Sequence, residues 1–186
     1  MAPTICALVL LCLFLECTVA LPGGAPSFSC SSMTPVHFGF HAQPVKESPF
    51  AVRQSKLTYT PGNDSIVVAL TASKNRSFKG FLVKALNPIS NKPIGKFRVE
   101  TGVAGRDSCH AATHVDASEK KFEVLHWSAD DVQEENNFVV FQATFVETFR
   151  KFYTGVESVI RGKNARKEIE SLRESTVNRR KTESGS

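Results

Sequence analysis

Five cysteines divide unequally along the 186-residue chain: Cys6, Cys12 and Cys17 fall in an apolar opening segment, and only Cys30 and Cys109 lie beyond it. This arithmetic predicts one disulfide in a secreted protein. The opening reads as a signal peptide over residues 1–20, with an apolar run from Ile5 to Leu15 and the small residues Thr18, Val19 and Ala20 before a cleavage point. That run is about half the roughly 20 apolar residues a membrane-crossing helix needs, and no second stretch of spanning length follows. Outside the cytosol an isolated cysteine pair is normally oxidised. Nothing near Cys30 or Cys109 resembles a CxxC redox or zinc pair, so both read as structural.

Removing residues 1–20 takes away Glu16 and no base, leaving 23 bases against 17 acids, a net charge of +6. The segment 161–186 carries eight of those bases and four acids, so most of the basicity belongs to the tail. Residues 21–160 match the usual size of one domain. Within them Val, Phe and Thr are favoured, as half-buried strands require. The economical division is a signal peptide over 1–20, one domain over 21–160 and a basic tail over 161–186.

Strand signals recur about every ten residues. The stretch from Met33 to Pro49 is broken by Pro35, Pro44 and Pro49 and reads as loop and short edge strand draped over the body. Lys56–Tyr59 leads to a turn at Pro61-Gly62, followed by a buried strand over Ile66–Thr71 and another over Phe78–Ala85. A shorter strand is expected over Ile94–Glu100. Residues 122–127 alternate strictly, with Phe122, Val124 and His126 on one face and Glu123, Leu125 and Trp127 on the other. Phe138–Thr148 is long enough to span a sandwich. With no amphipathic helix between these strands, the pattern predicts an all-β, antiparallel β-sandwich with a charged, weakly helical or disordered C-terminal tail. Ile169 and Leu172 support a short helix at Arg166–Ser175, whose sparse apolar stripe predicts weak docking and fraying.

The histidine pairs His37/His41 and His110/His114 have the i,i+4 spacing of helical metal ligands, but neither sits in a helical context, so hydrogen-bonding roles are expected and no metal. The chain has no GxSxG elbow, HExxH helix or phosphate-cradling glycine loop, so neither an enzyme nor a cofactor is expected. Asn63-Asp-Ser and Asn75-Arg-Ser are glycosylation acceptors in expected turns. The tail cations Arg161, Lys163, Arg166, Lys167, Arg179, Arg180 and Lys181 can attract anionic surfaces, or simply form a solvated charge run. Nucleic acid is a poor partner for a secreted chain whose tail lacks interleaved aromatics.

In their joint order, the landmarks Cys30-Ser-Ser-Met33-Thr-Pro35-Val-His37, Tyr59-Thr-Pro61-Gly62, Phe78-Lys-Gly80-Phe81-Leu-Val-Lys-Ala85, Gly95-Lys-Phe97, Thr113-His114, Trp127-Ser-Ala129 and Phe141-Gln-Ala-Thr144 resemble the reeler (reelin-type) domain family. They are most similar to its small secreted insect members of the defense-protein type. The resemblance covers about Cys30 to Ser158 and departs from the family's usual Phe-Trp at Phe152-Tyr153, where Tyr keeps an amphipathic anchor. It implies an immunoglobulin-like sandwich and a Cys30–Cys109 bridge, whose loop of nearly eighty residues is worth roughly 4 kcal/mol in the chain-entropy model. It further implies a non-enzymatic, secreted defence protein that binds microbial surface components such as lipopolysaccharide or lipoteichoic acid. The alternative is an extracellular adhesion or matrix protein binding host surface glycans or proteins. The resemblance also implies that larger relatives add electron-transfer or matrix modules after this domain; with a charged tail in that place here, redox and large-matrix functions are not expected.

Overall fold

Alternation along residues 122–128 sets one wall of the core, because Leu125 and Trp127 turn inward while Phe122 faces solvent. The computed structural model describes residues 23–62, 65–130, 132–133 and 136–184, so the leader and the acceptor Asn63 lie outside the described residues. The strands are β1 (Phe50–Gln54), β2 (Ser65–Ala72), β3 (Gly80–Leu86), β4 (Lys96–Phe97) and β5 (Val103–Arg106). They continue as β6 (Ala111–His114), β7 (Phe122–Ser128), β8 (Val140–Thr148), β9 (Lys151–Ile160) and β10 (Lys163–Asn164). A one-turn helix α1 (Ser29–Ser32) precedes them and a long helix α2 (Ala165–Ser184) follows.

The strands form two layers, β4-β7-β2-β1 and β5-β6-β3-β8, joined by β9. Register is fixed by pairs such as Val68 with Leu125 and Val83 with Ala143. Strand β9 pairs antiparallel with β8, Gln142 opposite Glu157, and parallel with β1, Val52 opposite Ser158. One strand therefore belongs to both sheets. At that junction the Ser158 hydroxyl donates to Gln54 Oε1 and accepts from the Phe141 amide, while Gln54 Nε2 donates to the Val139 carbonyl at 3.0 Å. These bonds satisfy the buried polar groups where the sheets meet.

Aromatic rings fill the space between the layers. Trp127 meets Tyr59 at 5.3 Å and Phe141 at 5.8 Å, both edge to face, and its Nε1 donates to the Ile94 carbonyl at 3.0 Å. A Cβ at Gly95 would collide with the Trp127 ring, and the residue also needs its positive φ of 64°. Phe50 and Phe145 join β1 to β8 at 5.2 Å.

The sandwich expectation holds, and the strands over 66–71, 78–85, 122–127 and 138–148 stand close to where periodicity placed them. Lys56–Tyr59 makes only a bridge, Thr58 to Phe138, while the strand lies earlier, at Phe50–Gln54. The tail helix begins one residue before the expected Arg166 and runs nine beyond Ser175. Asn164 starts it, its side-chain oxygen accepting from the Lys167 amide at 3.1 Å. Sparse apolar content does not prevent docking, because Ala165 and Ile169 sit one helical turn apart and plug into Leu86 and Val140. Ile169→Ala should therefore cost about 2–4 kcal/mol in a denaturant melt, whereas Leu172→Ala, at a 44% exposed position, should change stability by under about 0.5 kcal/mol.

Candidate functional site

In a two-layer sandwich each strand has one inner and one outer face, yet all seven residues of β3 are buried. Phe81, Val83 and Ala85 face the core. At one end of the outer face, Leu86 is covered by α2. At the other, Leu82 is covered by a strap, residues 24–37, that crosses the sheet.

Four attachments hold the strap. Cys30 is bridged to Cys109, with Cα atoms 5.6 Å apart, as the cysteine arithmetic predicts. The Ala25 amide donates to Thr113 Oγ1 at 2.9 Å, Arg106 Nε donates to the Ala25 carbonyl at 2.9 Å, and Thr144 Oγ1 donates to the Met33 carbonyl. Cys30 and Met33 pack on Leu82 and Ala111, giving the strap its own small apolar core.

A hollow lies on either side of the strap. The first, about 170 Å³, is apolar, walled by Phe28, Met33, Leu82, Val146 and Phe149. Ser29 Oγ and His37 Nδ1 are buried in it, and among the described residues no hydrogen-bond partner is assigned to either atom. His114 closes one side, where its Nδ1 accepts from the Phe81 amide at 3.1 Å. A Cβ at Gly80 would lie 2.8 Å from His114 Cε1, which explains the glycine in Phe78-Lys-Gly80-Phe81.

The second is an open cleft of about 630 Å³ lined by Lys84, Lys92, His110, Ser27, Ser31 and Ser108 beside the disulfide. Lys84 is 7% exposed, and burial lowers its pKa from the ordinary lysine value. No ion pair among the described residues involves Lys84 or Lys92. His110 Nδ1 donates to the Gly95 carbonyl at 2.7 Å, which leaves Nε2 as the acceptor of the neutral ring.

The residues singled out in sequence do not converge. Of the tail cations, Arg166 is bound into the body by Glu157 at 2.8 Å and by the Pro88 carbonyl at 2.8 Å, and Lys163 pairs with Glu168 at 3.4 Å. Arg161 and Lys167 are exposed at the root of α2, with Arg179 more than two turns further along. The side chains of Arg180 and Lys181 lie outside the described residues. Asn75 is exposed at the loop between β2 and β3, with a positive φ of 62°. His37 stacks on Phe149 at 4.3 Å, and among the described residues no three metal-ligating groups come together. Sequence reading passed over Lys84, although a lone charge inside the apolar run Gly80-Phe-Leu-Val-Lys-Ala-Leu86 marks it.

Residues 28–168 match the family model described as Reeler domain. The chain is 30% identical over 170 residues to "Putative ferric-chelate reductase 1 homolog" of Drosophila melanogaster, covering 85% of this chain and 25% of that protein. It is 29% identical over 149 residues to "Putative defense protein 3" of Antheraea mylitta, covering 77% of this chain and 87% of that protein. The crystal structure of the human F-spondin reeler domain (fragment 1) aligns with a TM-score of 0.49 at 22% identity, covering 59% of this chain and 86% of that one. The chain thus spans about a quarter of the length of the first relative and most of the second.

Burial holds His114 below its ordinary pKa of 6.5, and His37 is lowered for the same reason. On the acid side of 6.5 the unfolded chain then binds more protons than the folded one, so this contribution is complete above pH 6.5 and is lost as pH falls. Thermal melts at about pH 7.5 and about pH 5 should show the lower Tm at acid pH, and His114→Gln should shrink the difference.

Proposed function

The chain belongs to the reeler domain family, and on that footing we propose that it is a secreted, non-enzymatic protein of innate defence that binds anionic components of microbial surfaces. The observation that carries this reading is the alignment to the insect relative named a defense protein, which runs over 87% of that protein. The reductase name belongs to a protein of which the matched region is 25%, so that whole protein's activity is not carried over to this chain. No helix among the described residues is long and apolar enough to cross a membrane. Exposed Arg161 and Lys167 at the root of α2 offer charge to lipopolysaccharide phosphates or to lipoteichoic acid. Glycans on Asn75 and Asn63 would solvate the loops on either side of β2.

Host surface glycans, contacted in adhesion, are the competing ligands. Cutting the chain after Ile160 would remove the Ala165 and Ile169 plug along with the charges. Charge removal in the full chain is therefore the cleaner test. The double variant Arg161→Gln, Lys167→Gln should bind bacteria, lipopolysaccharide and lipoteichoic acid about thirtyfold more weakly, at roughly 1 kcal/mol per cation near an anionic surface, and with a shallower salt dependence. Unchanged affinity and salt dependence would rule out the tail cations. Binding to heparin beads with none to microbes would replace the defence reading with adhesion.

A further inference from the structure

A lysine in the middle of a buried strand loses hydration, and an acid partner ordinarily offsets that loss. Among the described residues Lys84 has no ion-pair partner. It stands on the outer face of β3 between Gln142 of β8 and Ala111 of β6, and it lines the cleft beside the strap. Every titratable side chain described along that cleft is basic, namely Lys84, Lys92 and His110, and three serine hydroxyls accompany them.

We propose that this cleft binds a phosphate monoester or free hydrogen phosphate, with the phosphoryl oxygens on Lys84, Lys92 and the serine hydroxyls. The ammonium groups and hydroxyls donate to the oxygens of the anion. His110 favours phosphate over sulfate. Because its Nδ1 is committed to the Gly95 carbonyl, the neutral ring offers Nε2 as an acceptor for the one hydrogen that hydrogen phosphate carries and sulfate lacks. The disulfide forms one edge of the cleft through Cys30 and Cys109, so the strap shapes the site. This site deepens the reading of a protein that binds anionic surfaces and supplies a specific group for it to recognise.

The test is a titration of the full-length mature protein, at constant ionic strength and neutral pH, with inorganic phosphate, glucose 1-phosphate and sulfate. Amide NMR shifts would be followed at β3 and β6. Saturable shifts around Lys84 and Ala111 are expected with phosphate, weaker ones with sulfate. A response to glucose 1-phosphate would extend the site to phosphosugars, and a response to the inorganic ion alone would confine it to the free anion.

Lys84→Met should weaken phosphate binding about tenfold or more while raising Tm, because an apolar side chain suits the buried position. A merely structural lysine would not show that combination. Lys92→Gln, at an exposed position, should weaken binding without changing Tm. Absence of saturable shifts, equal response to sulfate, or unchanged affinity in Lys84→Met would overturn the proposal. Phosphate binding with no attachment to microbes would instead overturn the defence reading and leave this site standing.

Discussion

Burial of β3 on both faces is the constraint from which the outer surface of this sandwich follows. A strand reading Gly-Phe-Leu-Val-Lys-Ala-Leu has apolar residues in both registers, so a two-layer body can cover only Phe81, Val83 and Ala85. Leu82 and Leu86 still need cover. The chain supplies it from its two ends, with the strap over Leu82 and the first turn of α2 over Leu86. Each cover is small, and each is tied to the body by polar or covalent links rather than by area alone.

Those links explain why the two hollows lie on one face. The strap is held at Cys30, Ala25 and Met33, and hollows open on both sides of it. One is apolar and holds buried polar atoms. The other exposes the single charge of β3. The tail cations have a different logic: Arg166 and Lys163 spend their charge on Glu157 and Glu168 in fixing the helix root, which leaves Arg161 and Lys167 facing solvent.

Much of the sandwich is legible in the sequence because period-two alternation is a direct imprint of one-sided burial, as at Leu125 and Trp127. What escapes is what that imprint does not encode. Strand β1 at Phe50–Gln54 follows three prolines, and its place is set by antiparallel pairing with β2 and by parallel pairing with β9, the latter a contact about a hundred residues distant in sequence. The docking of α2 rests on two residues, too few to register as an amphipathic stripe. The cysteine pair was readable from arithmetic alone, but not that it pins a strap. Lys84 is marked in the sequence as a lone charge in an apolar run, but that it is buried follows only from the cover on both faces of its strand.

The most direct test of this account is hydrogen–deuterium exchange on the folded protein before and after reduction of the Cys30–Cys109 bond. If the disulfide pins the strap over a sandwich that stands without it, reduction will speed exchange across residues 24–37 while β2 and β7 keep their protection. Unchanged exchange in the strap, or loss of protection throughout the sandwich at once, would contradict it.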